Sequence, residues 1–77
     1  MIIKNKLTGE ILDIPYSEFR KMFVKELQDA FENYRKTQLN KYSYNFKDDN
    51  SMEFNFYFDL QWNFNHFGMS NWYIERI

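Results

Sequence analysis

His66 is the only histidine of the chain, and there is no cysteine. Nucleophilic catalysis therefore has one candidate base and no thiol, and disulfides and thiolate metal sites are excluded. Asp48, Asp49, Asn50, Ser51 and Glu53 have the oxygen-rich character of the start of a calcium loop. The glycine and evenly spaced acids of an EF-hand are missing, so a turn with solvated acids is the expected reading. On an extended strand, Glu53 and Asp59 would stand roughly 20 Å apart, too far for the paired carboxylates of glycoside hydrolysis. The sequence has no glycine-rich phosphate loop, no Ser-His-Asp set and no HExxH. The expectation is a protein without enzymatic activity, cofactor or metal, in which His66 has a structural or solvated role.

Two recognition chemistries remain. Nine Phe, six Tyr and two Trp, with basic residues grouped as Arg20/Lys21/Lys25 and Arg35/Lys36/Lys41, are the ingredients of a single-strand nucleic-acid platform using Tyr57 and Tyr73. The net charge of −1 argues against it, because dedicated nucleic-acid binders are distinctly basic, and most of the rings are needed for a core. The second chemistry is a row of amides, Asn55, Gln61, Asn63 and Asn65 with Asn45, set around Tyr57. Amides and tyrosine make adaptable hydrogen bonds at protein interfaces. The plainer reading is a solvated surface shaped by codon bias: Lys, Asn, Phe, Tyr and Ile supply 37 of the 77 residues, and Ala, Gly, Pro and Arg seven, which points to an AT-rich genome. The predicted contact residues are Asn55, Tyr57, Gln61 and Asn63, with the basic helix face Arg20, Lys21 and Lys25 second. A protein partner is favoured over nucleic acid, and a homodimer through a sheet edge is a third option.

These residues need elements to hold them. From Met52 to Phe64 every even position is apolar (Met52, Phe54, Phe56, Phe58, Leu60, Trp62, Phe64) and every odd one is polar or Tyr57. Strand side chains alternate between faces, so this run predicts one long strand with a greasy and a wet face. Before it, Ile2–Lys6 and Glu10–Ile14 predict a hairpin around Gly9, which is free to take positive φ. Apolar residues at Phe19, Met22, Phe23, Leu27, Ala30, Phe31 and Tyr34 form a helical stripe. A helix over 17–38 is expected, N-capped by Ser17, with Lys25–Asp29 and Glu32–Lys36 as ion pairs. Tyr42, Tyr44 and Phe46 predict a third strand, Asp48-Asp49-Asn50 a turn, and 72–77 a last strand with Trp72 beside Phe64 and Ile74 beside Trp62. The fold class expected is α+β, ordered ββαβββ, with one amphipathic helix on one face of an antiparallel sheet.

Length predicts a single domain over 1–77. No apolar run approaches a membrane span or a signal-peptide core, so a complete, untagged cytoplasmic protein without membrane contact is expected. The opening Ile2-Ile3-Lys4-Asn5-Lys6-Leu7-Thr8-Gly9-Glu10 resembles the start of many small bacteriophage and mobile-element proteins of AT-rich bacteria. They often begin with a strand, an Asn-Lys-x-Thr-Gly-Glu turn and a second strand. The resemblance covers about fourteen residues. It implies an accessory or host-takeover role, which includes inhibitors of bacterial defence such as anti-CRISPR proteins. Such proteins act in the host cytoplasm by occluding the surface of a host or phage protein.

Overall fold

The computed structural model describes the backbone over residues 1–42 and 49–77. Among these are three strands, β1 (Ile2–Asn5), β2 (Ile11–Asp13) and β3 (Trp72–Arg76). There are also four helices, α1 (Tyr16–Met22), α2 (Val24–Tyr42), α3 (Asp49–Phe58) and α4 (Leu60–Phe67). The α+β class and the antiparallel sheet are as expected. The order ββαβββ is not, and neither is the single covering helix.

The first hairpin forms where its turn chemistry placed it. Asn5 Oδ1 accepts from the backbone N–H groups of Leu7 (2.9 Å) and Thr8 (3.0 Å), and Gly9 takes φ 76°, a conformation that disfavours residues bearing a Cβ. The last strand also forms, but its partner differs from the expected one. β3 pairs antiparallel with β1, Ile3 opposite Ile74 and Lys4 opposite Tyr73, giving the order β2-β1-β3. Ile3 and Ile74, both essentially fully buried, mark the sheet face that the helices cover.

The predicted helix is present but broken. Pro15, not Ser17, stands at the N-cap of α1, with no side-chain cap. At Phe23 the backbone leaves helical geometry (φ −112°, ψ 35°), and α2 then continues to Tyr42, a residue expected in a strand. The stripe behaves as read at Phe19, Phe23, Leu27, Ala30 and Tyr34, all buried, while Met22 is 53 % exposed. Glu32 pairs with Arg35 at 3.8 Å. Tyr44, Phe46 and Asp48 lie outside the described residues; Asp49 and Asn50 open α3 instead of forming a turn.

The main correction concerns the alternating run, which is helical. An α-helix turns about 100° per residue, so residues two apart lie on nearly opposite faces and residues four apart lie one above the other. The alternation therefore resolves into two rows. Met52, Phe56, Leu60 and Phe64 are buried, whereas Phe54, Phe58 and Trp62 are exposed. The buried row meets the α1–α2 stripe through rings: Phe56 against Phe31 (5.4 Å between centroids) and Tyr34 (5.5 Å), and Phe64 edge-on to Phe19 (5.4 Å). Between α3 and α4, Asp59 breaks the helix at φ −124°, ψ 60°.

Candidate protein-contact site

Coiling the alternating run dismantles the amide face. Asn63 is 6 % exposed; its Nδ2 donates to the backbone oxygen of Phe56 at 2.9 Å and, more weakly, to that of Asn55 at 3.4 Å. It closes the C-terminal turn of α3, whose last carbonyls have no intrahelical donor, and it is withdrawn as a contact residue. Asn65 faces β3, donating to the Ile74 oxygen at 2.8 Å and accepting from the Ile74 nitrogen at 2.7 Å. Gln61 Nε2 reaches the Glu75 oxygen at 3.1 Å. The same chemistry recurs on α2, where Asn33 Nδ2 donates to the Phe67 oxygen at 2.9 Å. Three of the amides read as an adaptable surface are backbone clamps, because a side-chain amide can both donate to and accept from the main chain. Asn55 alone of the predicted amide contacts is exposed without such a bond from its side chain. Asn45 lies outside the described residues.

Tyr57 is half-buried against α1. The Arg20 guanidinium lies 4.8 Å from the Tyr57 ring centroid and 5.8 Å from that of Tyr16, within range of a cation–π attraction. Arg20, Val24, Leu27, Gln28, Phe31, Glu53 and Tyr57 line a surface hollow of about 280 Å³. Of the predicted site, the fold thus brings together Tyr57 and Arg20, while Lys21 and Lys25 stay exposed on α1 and α2. The expected ~20 Å between Glu53 and Asp59 also fails: six residues of helical rise amount to roughly 9 Å, and both side chains are exposed.

Burial pushes the Tyr57 phenol above its ordinary value of about 10, with Arg20 pulling the other way. A folded-state value above the unfolded one means that the unfolded chain ionises first. Stability linked to Tyr57 is fully present below pH 10 and is lost as pH rises through the folded-state value. In ultraviolet titration of the tyrosinates, the difference between wild type and Tyr57→Phe is expected to have its midpoint above 10. Arg20→Ala should move that midpoint higher still; a downward move would contradict the contact.

The residues missed by sequence reading are the outward row. Phe54 is 67 % exposed, Phe58 81 % and Trp62 60 %. On α3 the Phe54 and Phe58 rings sit 6.0 Å apart. On α4 Trp62 stacks on His66, 4.9 Å between centroids and 12° from parallel. Four-residue spacing at 54, 58, 62 and 66 is the signal that would have found this row. Among the described residues, no helix is long and apolar enough to cross a membrane, and no group of three or more His, Asp or Glu could hold a metal ion. No family model, curated protein or solved structure matches the chain.

Proposed function

We propose that this chain is a non-enzymatic protein-binding module that acts by covering a partner surface, with Phe54, Phe58 and Trp62 as its anchors. The outward exposure of these three rings carries the reading. Aromatic side chains dominate the binding energy of protein interfaces, and helices present them at four-residue spacing to complementary surfaces. The fold already buries its other row of apolar residues, so the exposed row is not needed for the monomer's own core. Asn55 and the part-exposed Tyr57–Arg20 pair would contribute to the polar rim. The N-terminal resemblance is compatible with a phage-derived accessory or anti-defence protein that occludes a host or phage partner. A nucleic-acid platform is less well supported, since stacking platforms combine exposed rings with cations and no Lys or Arg occurs from Asp48 to Glu75.

The test is affinity capture from a lysate of the source cells, comparing wild type with Phe58→Ala/Trp62→Ala. Both altered side chains are exposed, so circular dichroism should be unchanged. Proteins retained by wild type are expected to be lost from the variant, and identical capture profiles would reject the aromatic row as the contact surface.

A further inference from the structure

The surroundings of the exposed row specify what it fits, given the binding role proposed above. From Asp48 to Glu75 the chain carries five acids (Asp48, Asp49, Glu53, Asp59, Glu75) and no Lys or Arg, whereas nine of the ten basic residues lie before Asp48. Glu53 directly precedes Phe54 and Asp59 directly follows Phe58; both acids are exposed. The three rings offer roughly 400 Å² of accessible aromatic surface, taking about 200 Å² for a whole ring side chain. That is about half of what one partner contributes to a standard interface, roughly 800 Å². The flanks must supply the rest, and there the exposed acids Glu53 and Asp59 adjoin the rings, with Arg20 in the hollow on the Glu53 side.

We infer that the occupant of this surface is a protein element with an apolar face bordered by lysine and arginine. Complementary charge across a rim speeds encounter and suppresses wrong partners, while the apolar centre holds the complex. A second copy of this chain fits less well. Two-fold pairing of identical rows would bring Asp59 toward acids of the same sign, while Glu53 already has Arg20 of its own chain in the same hollow. Anionic membranes and nucleic acids are repelled by the same charges.

Three fluorescent 18-residue amphipathic helical peptides with identical leucine faces serve as probes, with polar faces of lysine, glutamine or glutamate. Their binding to the whole chain is followed by anisotropy at pH 7 and 150 mM salt. The lysine peptide is expected to bind at least tenfold more tightly than the glutamate peptide, with the glutamine peptide between them. Phe58→Ala/Trp62→Ala, which keeps every acid, should weaken lysine-peptide binding at least tenfold. Glu53→Gln/Asp59→Asn, which keeps every ring, should narrow the gap between the peptides. If all three peptides bind equally and all lose binding in the ring variant, the charge inference falls while the binding role stands. Lysine-peptide binding that ignores the ring variant overturns both. Sedimentation equilibrium of the chain alone showing a dimer that the ring variant abolishes would make the occupant a second copy, and would overturn the basic partner.

Discussion

Replacing Phe56 with alanine is expected to destabilise the chain by about 3–5 kcal/mol, while Phe54→Ala and Phe58→Ala each change stability by no more than about 0.5 kcal/mol. The three residues have the same side chain and are spaced by two. Phe56 is 0 % exposed and Phe58 81 %. The Phe56 ring touches those of Phe31, Tyr34 and Tyr57, with centroids between 5.1 and 5.5 Å. Truncation would open a cavity between α2 and α3 and remove aromatic contacts that contribute beyond area alone. A chain of this size is held by roughly 4–12 kcal/mol in total, so Phe56→Ala should lose a large share of its stability. Phe56→Leu keeps much of the volume and should fall between the two extremes. Urea unfolding of the set is the measurement. On a strand all three rings would share one face and cost alike; a Phe58→Ala loss as large as that of Phe56→Ala would mean that the segment is extended.

That contrast also marks where sequence reading succeeded and where it failed. The hairpin was legible because its turn chemistry is local: Asn5 and Gly9 act on residues two to four positions away. The helical stripe was legible because Phe19, Phe23, Leu27, Ala30 and Tyr34 fit a 3.6-residue period and no other. The run from Met52 to Phe64 fits two periods at once. Every second residue makes a strand face, and every fourth makes a helix face, with the intervening apolar residues left outside. Pattern alone favoured the strand because it assumes that large rings are hidden. Strand length argued the other way. Thirteen extended residues span about 43 Å at ~3.3 Å each, longer than the 40 Å long axis of the molecule and beyond the usual 3–10 residues of a strand. The amide face was misread for the same reason. Assigning amides to a solvated face left no reason to look for backbone partners, yet Asn63, Gln61 and Asn65 reach carbonyls seven to fourteen residues away. Those pairings exist only once α4 is folded against α3 and β3, and nothing local announces them. Tyr57 and Arg20 were both named from the sequence, but their stacking depends on α2, against which both α1 and α3 pack.

Asn65→Ala is expected to cost about 2–4 kcal/mol. β3 lies at one edge of the sheet, and an edge strand leaves N–H and C=O groups without strand partners. At Ile74 both groups are satisfied by one side chain: Asn65 Oδ1 accepts from the nitrogen at 2.7 Å, and Nδ2 donates to the oxygen at 2.8 Å. The amide presents the donor and acceptor that another strand would have offered, and it fastens α4 to the sheet next to the buried Ile74 side chain. Removing it strands two backbone groups at a part-buried position, each worth about 1–3 kcal/mol when left unpaired. Asn65→Asp separates the two bonds. The carboxylate still accepts from the Ile74 nitrogen but faces the Ile74 oxygen with no donor, so the variant should be less stable than wild type at neutral pH. On acidification a protonated carboxyl regains a donor, and the deficit relative to wild type should shrink as pH falls below about 4. Thermal unfolding of wild type, Asn65→Ala and Asn65→Asp at pH 7 and pH 3 reads all of these outcomes. Equal midpoints for the three proteins at pH 7 would show that the amide contributes nothing to the sheet. A real deficit would also open the β3 edge, so Asn65→Ala should be the variant most prone to associate through the sheet, by strand addition at Ile74 instead of through the aromatic row.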